Sequence, residues 1–400
     1  MKKKNIFKIL FIALVITFMP KAVFASSCDL AGQTSNPTLS EGTYTCTISE
    51  DITIDQPYYI TGGTITISLD HNITSTSSSV FQVSGNANVI ITGTGTASVT
   101  NSGGTVVNFQ SSGELTITSG NLTGGRSAID ISKGSETSAA SNVHIKNGTL
   151  TGKDAAVRII NPIGNLTIDG GTFTSSNGNG LSIFGGDEVI INEGTFQGNF
   201  SGAYFNSINT LRINGGTFKG EKYGIHLSSI ENRNTNYNEK LITDGVLLGG
   251  TFQGTGDNSH AIGIISVEGD NDIFNTLVGN SHHYSKKFTA VREDIEGYGS
   301  AAEGPESDNE PEVEYLKSYM YVADINEVSV VEGSPTAEQK IEQAVVADKK
   351  EATKAEENPK TGSMLYIYII AFLLVCGTAL TVTYKRQKNN KEGNNKEVSQ

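Results

Sequence analysis

Glu268-Gly269-Asp270-Asn271-Asp272 sets three carboxylates at alternate positions, a spacing at which hard oxygen ligands hold Ca2+. Ile273 follows the last Asp, where a Ca2+-binding loop turns on glycine. A solvated turn is therefore the first reading, and a weak Ca2+ site at Glu268, Asp270 and Asp272 the second; no other cofactor is expected. His282-His283 pairs two imidazoles, but no Cys or third His stands near to complete a transition-metal set. Asp130, Asp154 and Asp169 stand singly beside turns, and Arg126, Arg158 and Arg212 fall in different repeats, none in an Arg-x-Lys. Acid–base chemistry needs such groups within hydrogen-bond reach of one substrate, so any catalytic set has to assemble across repeats. Gly185-Gly186-Asp187-Glu188-Val189 reads as the bend that opens the apolar segment Val189–Ile191, not as a nucleotide site. No catalytic residue is assigned.

The two ends carry a different kind of chemistry. Lys2, Lys3, Lys4 and Lys8 precede an apolar run from Ile9 to Met19, and Val23-Phe24-Ala25 has the small-x-small pattern of a signal-peptide cleavage site. A cut between Ala25 and Ser26 removes residues 1–25. An uncleaved anchor is one alternative, although the run is short against ~30 Å of hydrocarbon. Acylation of Cys28 is another, weakened by the absence of leucine in Ala25-Ser26-Ser27. Near the other end, Asn358-Pro359-Lys360-Thr361-Gly362 precedes Leu365–Tyr384, twenty uncharged residues, enough for one transmembrane helix. Lys385, Arg386 and Lys388 open a basic tail, 385–400, on the cytoplasmic side.

This order of pentapeptide, apolar helix and basic tail resembles the sorting signal of sortase-anchored Gram-positive surface proteins. In that family a transpeptidase cuts Leu-Pro-x-Thr-Gly between Thr and Gly and joins the Thr carbonyl to peptidoglycan. The resemblance implies Thr361 as the wall-linked residue, a sortase-type transpeptidase and peptidoglycan as partners, and the cell surface as the location. Asn358 stands in place of the usual leucine, which leaves the sortase class open. A plain single-pass anchor is the alternative.

The elements that would display any chemistry lie between these ends. The chain has 400 residues, 45 of them glycine, with 36% apolar residues, too many for a disordered chain. The ends hold ten of the 29 basic residues and two of the 42 acidic ones, leaving 19 and 40 in residues 26–362. An ectodomain with a net charge of −21 is repelled by nucleic acid and by anionic lipid.

One unit recurs: Ile145-Lys146-Asn147-Gly148-Thr149-Leu150, Ile168-Asp169-Gly170-Gly171-Thr172-Phe173, Ile191-Asn192-Glu193-Gly194-Thr195-Phe196, and Ile213-Asn214-Gly215-Gly216-Thr217-Phe218. Leu150, Phe173, Phe196, Phe218 and Phe252 follow one another at spacings of 23, 23, 22 and 34. Each unit has an alternating segment, a glycine bend, Thr-Phe, a polar turn and a second alternating segment, which is three short strands per unit. Stacked at ~4.8 Å, such units place like residue over like and pair their backbones. About nine coils are expected between residues 45 and 270, roughly 40 Å of rod.

The pattern resembles the pectate-lyase-like right-handed parallel β-helix superfamily, which implies an all-β ectodomain over residues 26–299 with an N-terminal cap. Enzymes of that superfamily that cut polyuronates use clustered Asp with an Arg or Lys base, or paired Asp with His and Arg-x-Lys. Cys28 and Cys46 precede the first coil, and in an exported protein they read as a disulfide or, failing that, as two thiols. Insertions Ser132–Asn142 and Ser228–Asp244 fall at the same place in their repeats. The second carries a candidate ligand loop with Asn232, Arg233, Asn236 and Tyr237, against which stands neutral loop drift. Residues 300–357 read as a solvated, partly helical stalk, with one or two strands possible over Glu314–Val331; residues 300–362 hold 15 acidic and 6 basic side chains. The expected function is a wall-anchored adhesin or glycan- or matrix-binding module, with a host or environmental ligand. A polysaccharide lyase or glycoside hydrolase on the same fold, and a structural spacer, are the alternatives.

Overall fold

The computed structural model describes residues 26–31, 38–132, 141–160, 163–228, 246–267, 273–293, 318–336, 339 and 342–343. The sorting pentapeptide, Leu365–Tyr384 and residues 1–25 lie outside them. Alternation decides the strands. In Thr64–Leu69, Ile65, Ile67 and Leu69 are buried while the threonines and serine between them face outward. A strand that buries only every second residue needs neighbours on both edges, and here it finds them in the preceding and following repeats. Ile67 pairs with Ile91, and Ile91, Ile117, Ile145, Ile168, Ile191 and Ile213 continue the ladder in parallel register. The result is a parallel β-solenoid.

The second ladder runs Ile73, Ala97, Leu122, Leu150, Phe173, Phe196, Phe218 and Phe252. Its phenylalanines stack with centroids 4.7, 4.6 and 5.2 Å apart and are fully buried. Those separations match the strand spacing, so backbone pairing and ring stacking are satisfied by one geometry. The bend before each Thr-Phe needs glycine twice over. At Gly171 φ is +110°, and a Cβ there would lie 2.9 Å from the carbonyl oxygen of Gly148 on the coil below.

Among the described residues nine parallel strands, from Ile52–Ile54 to Thr251–Gly254, stack in this ladder, about eight turns of solenoid from the first strand to the last, against the nine coils expected. Caps close both ends. At the N-terminal end Ser26–Asp29 pairs with Thr43–Thr47, which sets Cys28 opposite Cys46 with Cα atoms 4.4 Å apart, joined as a disulfide. Tyr58 donates its hydroxyl to the Leu30 carbonyl (2.9 Å), and burial raises that hydroxyl's pKa to about 12.

At the C-terminal end two strands form where one or two were expected over Glu314–Val331, and there the reading of a solvated stalk is corrected; residues 300–317 and 344–357 lie outside the described residues. Ser318–Ala323 pairs antiparallel with His260–Val267, and Glu327–Glu332 pairs antiparallel with Thr251–Gly254. The physical reason is exposed edge. The last coil would leave Phe252 and its backbone open, and Val328 sits opposite Phe252 and closes both. Met320, Tyr321, Val322, Val328 and Val330 are buried, outweighing the acidic composition around them.

Phe196→Ala removes a ring sandwiched on both sides, and the stacked coils cannot close the gap. It is expected to cost about 3–5 kcal/mol of unfolding free energy, read as a lowered denaturant midpoint. A shift within experimental error would show that the ladder does not carry the core.

Candidate functional site

The outward residues of the long sheet stand in columns, one position per coil. The residue between two core side chains points out, and the register stacks Gln82, Asn108, Asp130, Arg158, Ser182, Tyr204, His226 and Gly263 in one line. Amides and charges occupy the first half of this column and aromatic groups the second.

Asp130 is the centre of the first half. It is 1% exposed, and its Oδ2 accepts from Arg126 Nη2 at 2.5 Å and from Arg158 Nη1 at 3.0 Å. Residues that stand alone in the sequence thus converge across one turn of the solenoid. Two guanidiniums on one carboxylate satisfy the need of a buried charge for a partner. Asp154 and Arg212 do not join them. Asp169 lies on another edge, where His144 Nε2 at 2.6 Å and the Asn192 side-chain amide at 2.8 Å, in that order of effect, lower its pKa.

Beside the column, Asn179 donates to Ser182 Oγ at 3.1 Å and accepts from Ser201 Oγ at 2.5 Å, which links the column to the fully buried Ser201. Further along, Phe184 is 39% exposed and packs against Tyr204 with centroids 5.0 Å apart. Tyr204, Tyr223 and Phe200 surround the His226 ring at 4.8, 5.0 and 5.9 Å. Burial first, and the Lys222 ammonium second, hold His226 down to about 3, so the ring is neutral at any ordinary pH. Tyr223 lies across Gly263. A Cβ on that glycine would stand 2.7 Å from the tyrosine ring, so the column ends on a glycine because the ring occupies the side chain's place.

The face closes in a polar cavity of about 470 Å3 lined by Glu221, Lys222, Gly256, Asp257, Asn258, His260 and Glu293. His260 Nδ1 bonds the Ala323 carbonyl at 2.8 Å, which turns Nε2 toward Glu293 Oε1 at 3.4 Å. Glu293 raises the histidine's pKa, and the histidine lowers that of Glu293. The pair clips the last coil to the capping strands.

Of the residues singled out from sequence, Ser26, Cys28 and Cys46 lie in the N-terminal cap. Ala25, Asn232, Arg233, Asn236 and Tyr237, the carboxylates Glu268, Asp270 and Asp272, and Asn358 to Gly362 lie outside the described residues. His282 and His283 neighbour a second cavity, where His283 Nδ1 bonds the Gly333 carbonyl at 3.0 Å. Asp187 and Glu188 sit within strand Asn179–Ile191, Asp187 accepting from Asn209 at 3.0 Å. Among the described residues no group of three or more His, Cys, Asp or Glu is placed to hold a metal ion, and no helix is long and apolar enough to cross a membrane. No protein-family model, curated protein or solved structure matches the chain.

Phe184, Tyr204 and His226 were not picked out from sequence. The available signal was positional: 182, 204 and 226 share one place in successive repeats, visible once the chain is written in register.

The His260–Glu293 pair gives a pH dependence with a definite sign. His260, raised above its usual 6.5, contributes stability that is full below that value and lost as pH rises through its folded pKa. Glu293, lowered below its usual 4.5, contributes stability present above that value and lost on acidification through its folded pKa. The melting-temperature difference between the natural chain and Glu293→Gln is therefore expected to peak between pH 4.5 and 6.5. A difference that does not vary with pH would remove the pair from the cap's stability.

Proposed function

We propose that the chain is a surface protein of a Gram-positive cell, exported with loss of residues 1–25. Sortase-type transfer of Thr361 to peptidoglycan anchors it, and its rod is displayed to bind glycan as an adhesin. The rod is taken to coil right-handedly, the hand that parallel crossovers adopt in nearly all sheets. Cleavage after Ala25 leaves strand Ser26–Asp29 and the Cys28–Cys46 bond intact, which agrees with an exported, oxidised cap.

The observation that carries the binding reading is exposed Phe184 packed on half-buried Tyr204, in line with a column of Asp, Arg, Asn and Ser. Aromatic faces stack on the C–H faces of sugar rings while fixed polar groups read hydroxyls, and neither is needed to hold the core.

The convergence of Arg126, Asp130 and Arg158 gives some support to a lyase or hydrolase. Hydrolysis, however, calls for two carboxyl groups flanking the scissile bond at ~5–9.5 Å. Asp130 is the one carboxylate in the column, and two arginines already hold it. Binding without turnover is the better fit.

Two experiments test the two halves of the proposal. Thr361→Ala is expected to move the protein from the wall fraction to membrane or medium, and persistent wall linkage would refute attachment at that residue. Phe184→Ala is expected to weaken glycan retention about tenfold, the equivalent of ~1.4 kcal/mol, with an unchanged melting temperature. Unaltered retention would take the face out of binding.

A further inference from the structure

The outer column contains buried polar atoms that have no hydrogen-bond partner among the described residues. Asp130 uses Oδ2 for both arginines, while its Oδ1 is unbonded. Arg126 Nε, in the side chain that lies against Asp130, is also unbonded. So is Asn108 Oδ1, on the coil paired directly with Asp130. Four coils further on, His226 is 7% exposed and neither of its ring nitrogens is bonded. Leaving such groups unmet is costly, so their number on a single outward line calls for a complement.

The set is mixed in sign. Asn108 and Asp130 offer acceptors, Arg126 offers a donor, and a neutral imidazole offers one of each. A carboxylate or sulfate can only accept, and it is repelled where Asp130 Oδ1 needs a donor. An ammonium can only donate and leaves Arg126 Nε unmet. A hydroxyl does both. Phe184 and Tyr204 lie between the two ends of the line and supply the stacking surface. At ~4.8 Å per coil, Asp130 and His226 are ~19 Å apart, a span suited to a short run of pyranose rings.

We infer that this face selects an uncharged, hydroxyl-rich glycan over an acidic one. A sugar hydroxyl donates to Asp130 Oδ1 and accepts from Arg126 Nε. The inference rests on the glycan-binding reading above and narrows its ligand; polyuronates, the substrates implied by the fold resemblance, become the disfavoured class. Arg126, whose side chain is 37% exposed, carries this group of atoms to the outer surface.

The test titrates the full-length chain in detergent with two panels of hexasaccharides. The neutral panel is cello-, malto-, laminari- and manno-oligosaccharide, and the acidic panel is galacturonate and hyaluronate oligosaccharide. Binding is expected in the neutral panel. Arg126→Lys keeps a cation beside Asp130 but removes the Nε donor, and should weaken that binding about tenfold without lowering the melting temperature. Asp130→Asn removes the charge that neutralises both arginines and should shift preference toward galacturonate. Tighter binding of the acidic panel by the natural chain, or no effect of Arg126→Lys, overturns the inference while the glycan-binding reading stands. No binding in either panel overturns that reading, and the inference with it.

Discussion

The parallel hydrogen-bonded ladder between successive coils is the constraint on which everything else in this protein depends. Once Ile168 is paired to Ile145 and Ile191, the position of every other residue in that coil follows to within a side chain. Core ladders and outward columns are two results of the same register. The face with Asp130, Arg158, Tyr204 and His226 is therefore held on strands, not on loops, and its spacing is set by the backbone. Shifting one strand by one residue would exchange the column for the core. That exchange is opposed by the fully buried aliphatic side chains that alternate with the column, such as Ile129, Val157 and Leu181.

The solenoid itself was legible in the sequence because its repeat is written in residues that have no other reason to recur. Ile-x-x-Gly-Thr-Phe combines an inward aliphatic, a bend that needs glycine and an inward ring, and all three appear in the structure at the expected place. The caps were less legible. Val328 and Val330 alternate as any strand does, but nothing in their immediate sequence says that the partner is Thr251–Gly254, far back in the chain. The surrounding Glu and Asp also argued for solvent. Antiparallel closure is a non-local event, and local composition is silent about it.

The candidate site lay between these extremes. Arg126, Asp130 and Arg158 were visible as residue types, but their meeting depends on counting across an irregular repeat. The steps from Asp130 to Arg158 and from His226 to Gly263 are longer than those between them because the segments after Ile131 and Ser228 insert extra residues. Polar ends and aromatic ends of one column also differ in how much they reveal. Outward positions are free to vary as far as the core is concerned, so a tyrosine or histidine there reads as noise until the register is known.

The capping strand Glu327–Glu332 has a mechanical consequence. It is hydrogen-bonded on one side to Thr251–Gly254 and on the other to His282–Tyr284, and a little further along the chain Glu342–Gln343 pairs with Thr289–Glu293. A pull applied from the C-terminal side of Glu342–Gln343 enters the solenoid through strands clamped by neighbours and not through a free end. Many hydrogen bonds then share the load before the first coil is disturbed. The element that closes the hydrophobic stack is also the one through which tension reaches it.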